Sequence, residues 1–303
     1  MSWNRVERLI GSDNLARLAS KRVAIVGLGS GGGAVALHLA MSGVGNFILI
    51  DDDVLEESNV VRHVADRRYM GQPKAEAVAD LIRHRNPKAQ IEVRVGRVEQ
   101  NMDALGHIDI LVSAVDGEGP KYVLNQAALN RNLTAVYAGV YERGEGGDAV
   151  VIYPYDGPCY ACWASELREG LTIANADTGE LDYGMIGPEG TLEAEPGLWL
   201  HVMRVATVQT HLILNELLKG TDVYEPTPGN TVILANSALE IVNGQVSQPQ
   251  TAVWVTINRD PECLVCGDKL RNRAALTDGR EESSLSLADL IDTTGIVLQE
   301  DED

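Results

Sequence analysis

Residues 23–26 are an apolar run that feeds directly into Gly27-Leu28-Gly29-Ser30-Gly31-Gly32, and a small-residue stretch over 34–41 follows. In that order these pieces describe a buried strand that turns tightly into a helix. The cluster fits G-x-G-x-x-G. Gly27 permits the tight turn, Gly29 lets a phosphate approach the backbone, and Gly32 lets the helix pack closely on the strand. The helix N-terminus then offers free N–H groups and the positive end of its dipole to an anion. Asp51 ends the next apolar run, at about the spacing of an acid that binds a ribose hydroxyl. The pattern predicts a nucleotide site. By itself it does not separate a dinucleotide that transfers hydride from ATP that transfers its adenylate.

The alternation continues along the chain. Strands are expected over 46–50, 91–95, 108–112, 135–138 and 149–153, and helices over 34–41, 73–85 and 121–129. This argues for an α/β fold: a Rossmann-like, mostly parallel sheet with helices on both faces. A helical segment over 1–20 precedes this nucleotide-binding region, which runs from 21 to 153. Residues 167–197 are rich in Gly, Glu and Asp, lack periodicity and read as a long surface loop. A long apolar helix is expected over 198–218. Strands over 231–235, 238–242 and 251–256 read as an antiparallel second sheet region that extends the fold. Residues 154–272 would then hold a crossover loop, a helix, strands and a cysteine site in the same domain. Residues 273–303 read as a polar acidic tail, partly disordered.

The residues after Asp51 bear on the choice of nucleotide. Adenylate transfer needs cations on the phosphates, a ligand for Mg²⁺ and room for an incoming carboxylate. Asn59, Arg62 and Lys74 follow the ribose acid, and Asp116 stands just past the end of another expected strand. In an open parallel sheet that edge is where ligands bind. A nicotinamide-dependent oxidoreductase would use the glycine loop and Asp51 but would leave Arg62, Lys74 and Asp116 without a role.

Together Gly27, Gly29, Gly32, Asp51, Asp53, Asn59, Arg62, Gly71-Gln72-Pro73-Lys74 and Asp116 resemble the ThiF/MoeB/HesA family, which is similar to the adenylation domains of ubiquitin-activating enzymes. The resemblance spans roughly residues 3–270. It implies an ATP-dependent adenylyltransferase that converts a carboxylate to an acyl-adenylate and releases pyrophosphate. The carboxylate is usually the C-terminal glycine of a ubiquitin-like or sulfur-carrier protein; the alternative is a small-molecule, peptide or tRNA-borne carboxylate. The resemblance also assigns roles: Asp51 to the ribose, Asn59 to a phosphate, Arg62 and Lys74 to the phosphates in the transition state, and Asp116 to Mg²⁺. The segment Ser2-Trp3-Asn4-Arg5 resembles the family's N-terminal Tyr-Asn-Arg, so Arg5 would reach the ATP of a partner subunit and the working unit would be a dimer, taken as a homodimer. The acidic residues 174–195 would cross over the carrier protein's tail and the adenylate. Three positions depart from the family's pattern: Gly117 stands where Asn is usual, Lys121 where Arg is usual, and His63 where Gln is usual after Arg62.

Cys159/Cys162 and Cys263/Cys266 form two Cys-x-x-Cys pairs. The two-residue gap lets two thiolates grip one tetrahedral metal, and two pairs complete a closed four-thiolate structural zinc site. With all four cysteines so used, the chain would carry no free thiol for a thioester step of its own.

The formal charge is −19, which opposes binding to nucleic acid or to an anionic membrane surface. Residues 1–20 are polar, and no run approaches the roughly 18 apolar residues of a membrane span, so a cytoplasmic location is expected.

Overall fold

The computed structural model describes residues 2–170, 197–242 and 245–268. The acidic segment 174–195 and the tail from 273 lie outside the described residues. The chain opens with two short helices, α1 (Asn4–Ile10) and α2 (Ser12–Ser20), separated by Gly11 at φ +83°. A left-handed residue breaks a helix, and glycine takes that conformation without a Cβ penalty.

The expected alternation follows. It comprises β1 (Arg22–Val26), α3 (Ser30–Met41), β2 (Asn46–Asp51), a single turn α4 (Glu57–Val60), α5 (Lys74–Arg85), β3 (Gln90–Val95), β4 (Ile110–Ser113), α6 (Glu118–Arg131) and β5 (Ala135–Val140). Then come β6 (Gly146–Ile152), α7 (Tyr160–Gly170), α8 (Trp199–Leu217), β7 (Thr231–Ala235), β8 (Leu239–Val242), β9 (Gln245–Ser247) and β10 (Thr251–Val255). α3 begins at Ser30, four residues before the sequence reading placed it. Glycine disfavours a helix interior, but here the glycines form the first turn, where close packing on β1 and β4 outweighs propensity.

Among the described residues eight strands form one sheet, in the order β10-β7-β6-β5-β4-β1-β2-β3. The strands from β5 to β3 pair in parallel. β6, β7 and β10 are added antiparallel. The antiparallel extension is therefore present, but 231–235 and 251–256 do not start a second sheet. The turn at Arg143 and Gly144, both at positive φ, reverses the chain after β5. β6 then presents an open antiparallel edge, and β7 and β10 add to it in turn. β8 and β9 alone form a separate hairpin.

Alternate strand residues serve two cores. Val23, Ile25, Phe47, Leu49, Val112 and Val136 face α3, α5 and α8. Ala24, Val26, Ile48, Ile50, Leu111 and Tyr137 face α6 and α7. Strands covered on both faces read as near-continuous apolar runs, which is why β1, β2 and β4 are legible in the sequence. No described helix is long and apolar enough to cross a membrane.

Candidate functional site

The strand order reverses between β1 and β4, and such a switch point opens a crevice at the carboxyl ends of the strands. The glycine loop leaves β1 at that edge, Asp51 ends β2, and Asp116 lies just beyond β4. The loop is built for close approach. Gly27 has φ +84°, and a Cβ there would meet the Ala114 carbonyl oxygen at 2.6 Å. A Cβ on Gly32 would lie 1.9 Å from the Gly27 carbonyl oxygen and 2.9 Å from the Ala114 Cβ. Gly29 is different: nothing lies within 4 Å of the Cβ position. Gly29 is the N-cap of α3, so open space lies at the helix N-terminus, which is the arrangement that receives a phosphate.

Two glycine substitutions separate packing from binding. Gly32→Ala drives a methyl into backbone and is expected to cost about 2–3 kcal/mol, lowering Tm by about 5–10 °C. Gly29, at φ −67°, accepts alanine without strain. Gly29→Ala is expected to leave Tm unchanged and to weaken ATP binding at least about tenfold, because the methyl displaces a charged acceptor from its N–H donors. Thermal melting and calorimetry check both. Wild-type ATP affinity in Gly29→Ala would show that the phosphates lie elsewhere.

Asp51 holds this loop. Its Oδ2 accepts the Leu28 N–H at 2.6 Å, and its Oδ1 accepts the Asp53 N–H at 2.9 Å. Burial raises the carboxyl above its ordinary range, opposed by those N–H bonds and by Lys74. Each carboxylate oxygen keeps accepting capacity, so the same group can still take a ribose hydroxyl.

The peptide Gly71-Gln72-Pro73 delivers Lys74. Leu55 N–H donates to the Gln72 carbonyl, Gly71 N–H to the Leu55 carbonyl, and Lys74 N–H to the Asp53 carbonyl, each at 2.9 Å. The Lys74 Nζ pairs with Asp53 Oδ2 at 2.6 Å. Asn59 caps the start of α4: its Oδ1 accepts the Glu56 N–H at 3.0 Å, a capping box that leaves the Nδ2 donors over. Arg62 follows α4, half-exposed. Neighbouring arginines are paired: Arg67 with Glu57, Arg68 with Asp66 and Arg97 with Asp52. The Arg62 guanidinium has no such partner among the described residues, so its charge is available to a ligand.

One expected feature sits apart. Arg5 is exposed on α1, which packs on α2, and Trp3 lies beside Gly43, Gly45 and Asn86 at the other end of β2 and β3. One chain does not bring Arg5 to its own crevice. Lys121 is buried in α6, with Nζ 2.9 Å from Glu118 Oε1.

The four cysteines converge. Their Sγ atoms lie within 4.8 Å of one another, with Cys159–Cys162 at 3.8 Å, Cys159–Cys263 at 3.9 Å and Cys162–Cys266 at 3.4 Å. Four sulfurs at about 2.3 Å from one zinc stand about 3.8 Å apart, so the cluster fits a tetrahedral ion. Gly267 N–H donates to the Cys263 carbonyl at 2.8 Å, and Val265 N–H points at Cys263 Sγ at 3.4 Å, closing the second knuckle. Burial and the neighbouring thiols push the Cys159 thiol up. A divalent cation would supply the compensating charge that lets such thiols ionise.

His63 is a further residue at the loop that sequence reasoning did not assign. Its only sequence signal is the departure from Gln after Arg62. In the structure it is buried against the glycine loop, with Nε2 2.7 Å from the Leu28 carbonyl oxygen.

A family model described as ThiF family matches residues 3–295. The SAMP-activating enzyme E1 of Haloferax volcanii is 31% identical over 226 residues, covering 73% of this chain and 82% of that protein. The sulfur carrier protein ThiS adenylyltransferase of Escherichia coli is 29% identical over 189 residues, covering 61% of this chain and 74% of that one. Of two other relatives the chain spans about half, 43% and 57% of their length. Among solved structures, Escherichia coli MccB with ATP superposes with a TM-score of 0.66 at 19% identity, covering 88% of this chain and 75% of that one, a likeness of fold.

Proposed function

This chain belongs to the ThiF family, and on that premise we propose that it is an ATP-dependent adenylyltransferase acting on the C-terminal glycine of a ubiquitin-like or sulfur-carrier protein. A carboxylate oxygen attacks the α-phosphorus of ATP, the bond to the β-phosphate oxygen breaks, and pyrophosphate leaves. No general base is needed, because the carboxylate is already ionised. The chain's own work is positioning and charge neutralisation.

The observation that carries this reading is the contiguity of the glycine loop, Asp51 and Lys74: Asp51 accepts the Leu28 and Asp53 N–H groups, and Lys74 pairs with Asp53. The N-terminus of α3 would take the phosphates at Gly29, and Lys74 and Arg62 would meet the charge that develops on them. Asn59 adds amide donors, and Asp51 takes the ribose. Asp116, exposed past β4, would hold Mg²⁺, which when bound would neutralise phosphate charge. The relatives support the protein substrate: one is an E1 for SAMP and another adenylylates the sulfur carrier ThiS. A dimer with Arg5 reaching across fits the distance of α1 from the crevice of its own chain.

Zinc would be structural, held by Cys159, Cys162, Cys263 and Cys266. All four cysteines of the chain lie in that cluster, so the acyl-adenylate would pass to an acceptor outside this chain.

ATP–pyrophosphate exchange with Mg²⁺ and fractions of cell extract tests the proposal. Exchange is expected with a small heat-stable protein fraction and is expected to vanish in Asp116→Ala. Exchange supported only by a peptide or RNA fraction would change the substrate class. Binding of NADH with no binding of ATP would overturn the reading.

A further inference from the structure

The glycine loop is held by two side chains from distant parts of the sequence, and only one of them belongs to the nucleotide motif. Leu28 lies between Gly27 and Gly29, and both polar groups of its residue are engaged. Its N–H is held by Asp51, and its carbonyl oxygen lies 2.7 Å from His63 Nε2. The other ring nitrogen, Nδ1, accepts the Ala65 N–H at 2.9 Å. A ring nitrogen that accepts an N–H carries no proton of its own. The imidazole is therefore the Nε2–H tautomer, and Nε2 donates to Leu28. Burial, with the nearby Lys74 charge, lowers the ring's proton affinity, in keeping with this neutral form.

His63 also directly follows Arg62 in the chain. Below the ring, Val64 Cγ2 stands 2.9 Å from where a Cβ on Gly33 would be, so the segment is seated against the first turns of α3 as well. One imidazole thus joins two parts of the crevice, the glycine loop and the segment that carries Arg62. We propose that His63 is a positioning residue for ATP, tying the Arg62 segment to the Leu28 carbonyl so that Arg62 and the Gly29 amides address the same phosphates. The inference rests on the adenylation reading. It also gives a reason for His in place of Gln at this position: a glutamine amide is a donor of similar reach.

The test compares wild type, His63→Ala and His63→Gln in ATP–Mg²⁺ binding by calorimetry, in ATP–pyrophosphate exchange and in thermal melting. His63→Ala is expected to weaken ATP binding and slow exchange by about ten- to a hundredfold at temperatures well below its Tm, the scale of a misplaced reacting group. His63→Gln is expected to restore both to within about threefold. If the ring only supports the fold, His63→Ala loses Tm but the folded protein keeps wild-type affinity and rate, and the inference fails. It fails equally if His63→Gln is as defective as His63→Ala. Should His63→Ala not fold, nitrogen NMR of the wild-type imidazole decides: the Nε2–H tautomer is expected, and an Nδ1–H ring would overturn the tie. Wild-type protein that binds no ATP would sink the adenylation reading itself, an outcome distinct from equal binding by wild type and His63→Ala.

Discussion

Lys74→Ala is expected to reduce ATP–pyrophosphate exchange by about 10²–10³-fold while leaving the fold intact. The side chain of Lys74 is 11% exposed, and its partner Asp53 is 65% exposed. An ion pair with one partner that open to water is worth about 0–1 kcal/mol. Its loss costs little stability, and Tm should fall by no more than about 2–4 °C. The same weakness lets the ammonium turn from Asp53 to a phosphate when ATP enters. In the transition state, charge builds on the oxygens around the α-phosphorus, and one preorganised cation or donor is worth about 10²–10³ in rate. The loss should therefore fall more on kcat than on KM, because an interaction that strengthens in the transition state is missing. Lys74→Arg is not expected to rescue fully, since a planar guanidinium does not fit a site shaped for a compact ammonium. Exchange within about threefold of wild type in Lys74→Ala would remove Lys74 from the reaction.

Removing the metal from the cysteine cluster should have the largest effect on stability. Three of the four cysteines are buried, packed against Leu129 of α6. The cluster fastens the start of α7 to residues 263–266, a closure of 104 residues along the chain. Metal bound only by the folded form adds its binding free energy to folding. A buried four-thiolate zinc in a protein with its own large core is expected to contribute at least about 4 kcal/mol, or about 10 °C in Tm. Elemental analysis should find one zinc per chain. Cys266→Ser should abolish it, and a strong chelator should lower the Tm of wild type toward that of the mutant. Metal-free protein that melts as high as the purified form would overturn the zinc assignment. It would also reopen the cysteines as nucleophiles, and mass spectrometry during turnover would then be expected to find an acylated thiol.

Several features were readable before any coordinates because they are local. The turn Gly27–Gly32 needs positive φ at one residue and no Cβ at another, and both requirements are written in glycines a few positions apart. Two-sided burial makes β1, β2 and β4 continuous apolar runs. A tetrahedral metal needs two thiols per knuckle, so the Cys-x-x-Cys spacing carries its chemistry with it. The helix that begins at Lys74 was legible through Pro73 at its start, while a role for Lys74 itself came only with the family resemblance.

Other features depend on neighbours that the chain supplies from far away. Pattern alone could not place β7 and β10 in the main sheet, because a strand's partner is chosen by which edge lies open, and β6 opens that edge only after reversing beside β5. The start of α3 at Ser30 contradicts helix propensity and is stabilised by contact with Ala114, 80 or more residues on. The double hold on Leu28 joins residues 28, 51 and 63, and nothing in the local sequence of any one of them announces the other two. Local conformation follows from what each residue does to its own backbone, and that is written along the chain. Which groups meet is decided by the order in which strands pair and the helices that cover them, a property of the packed whole that only the folded structure contains.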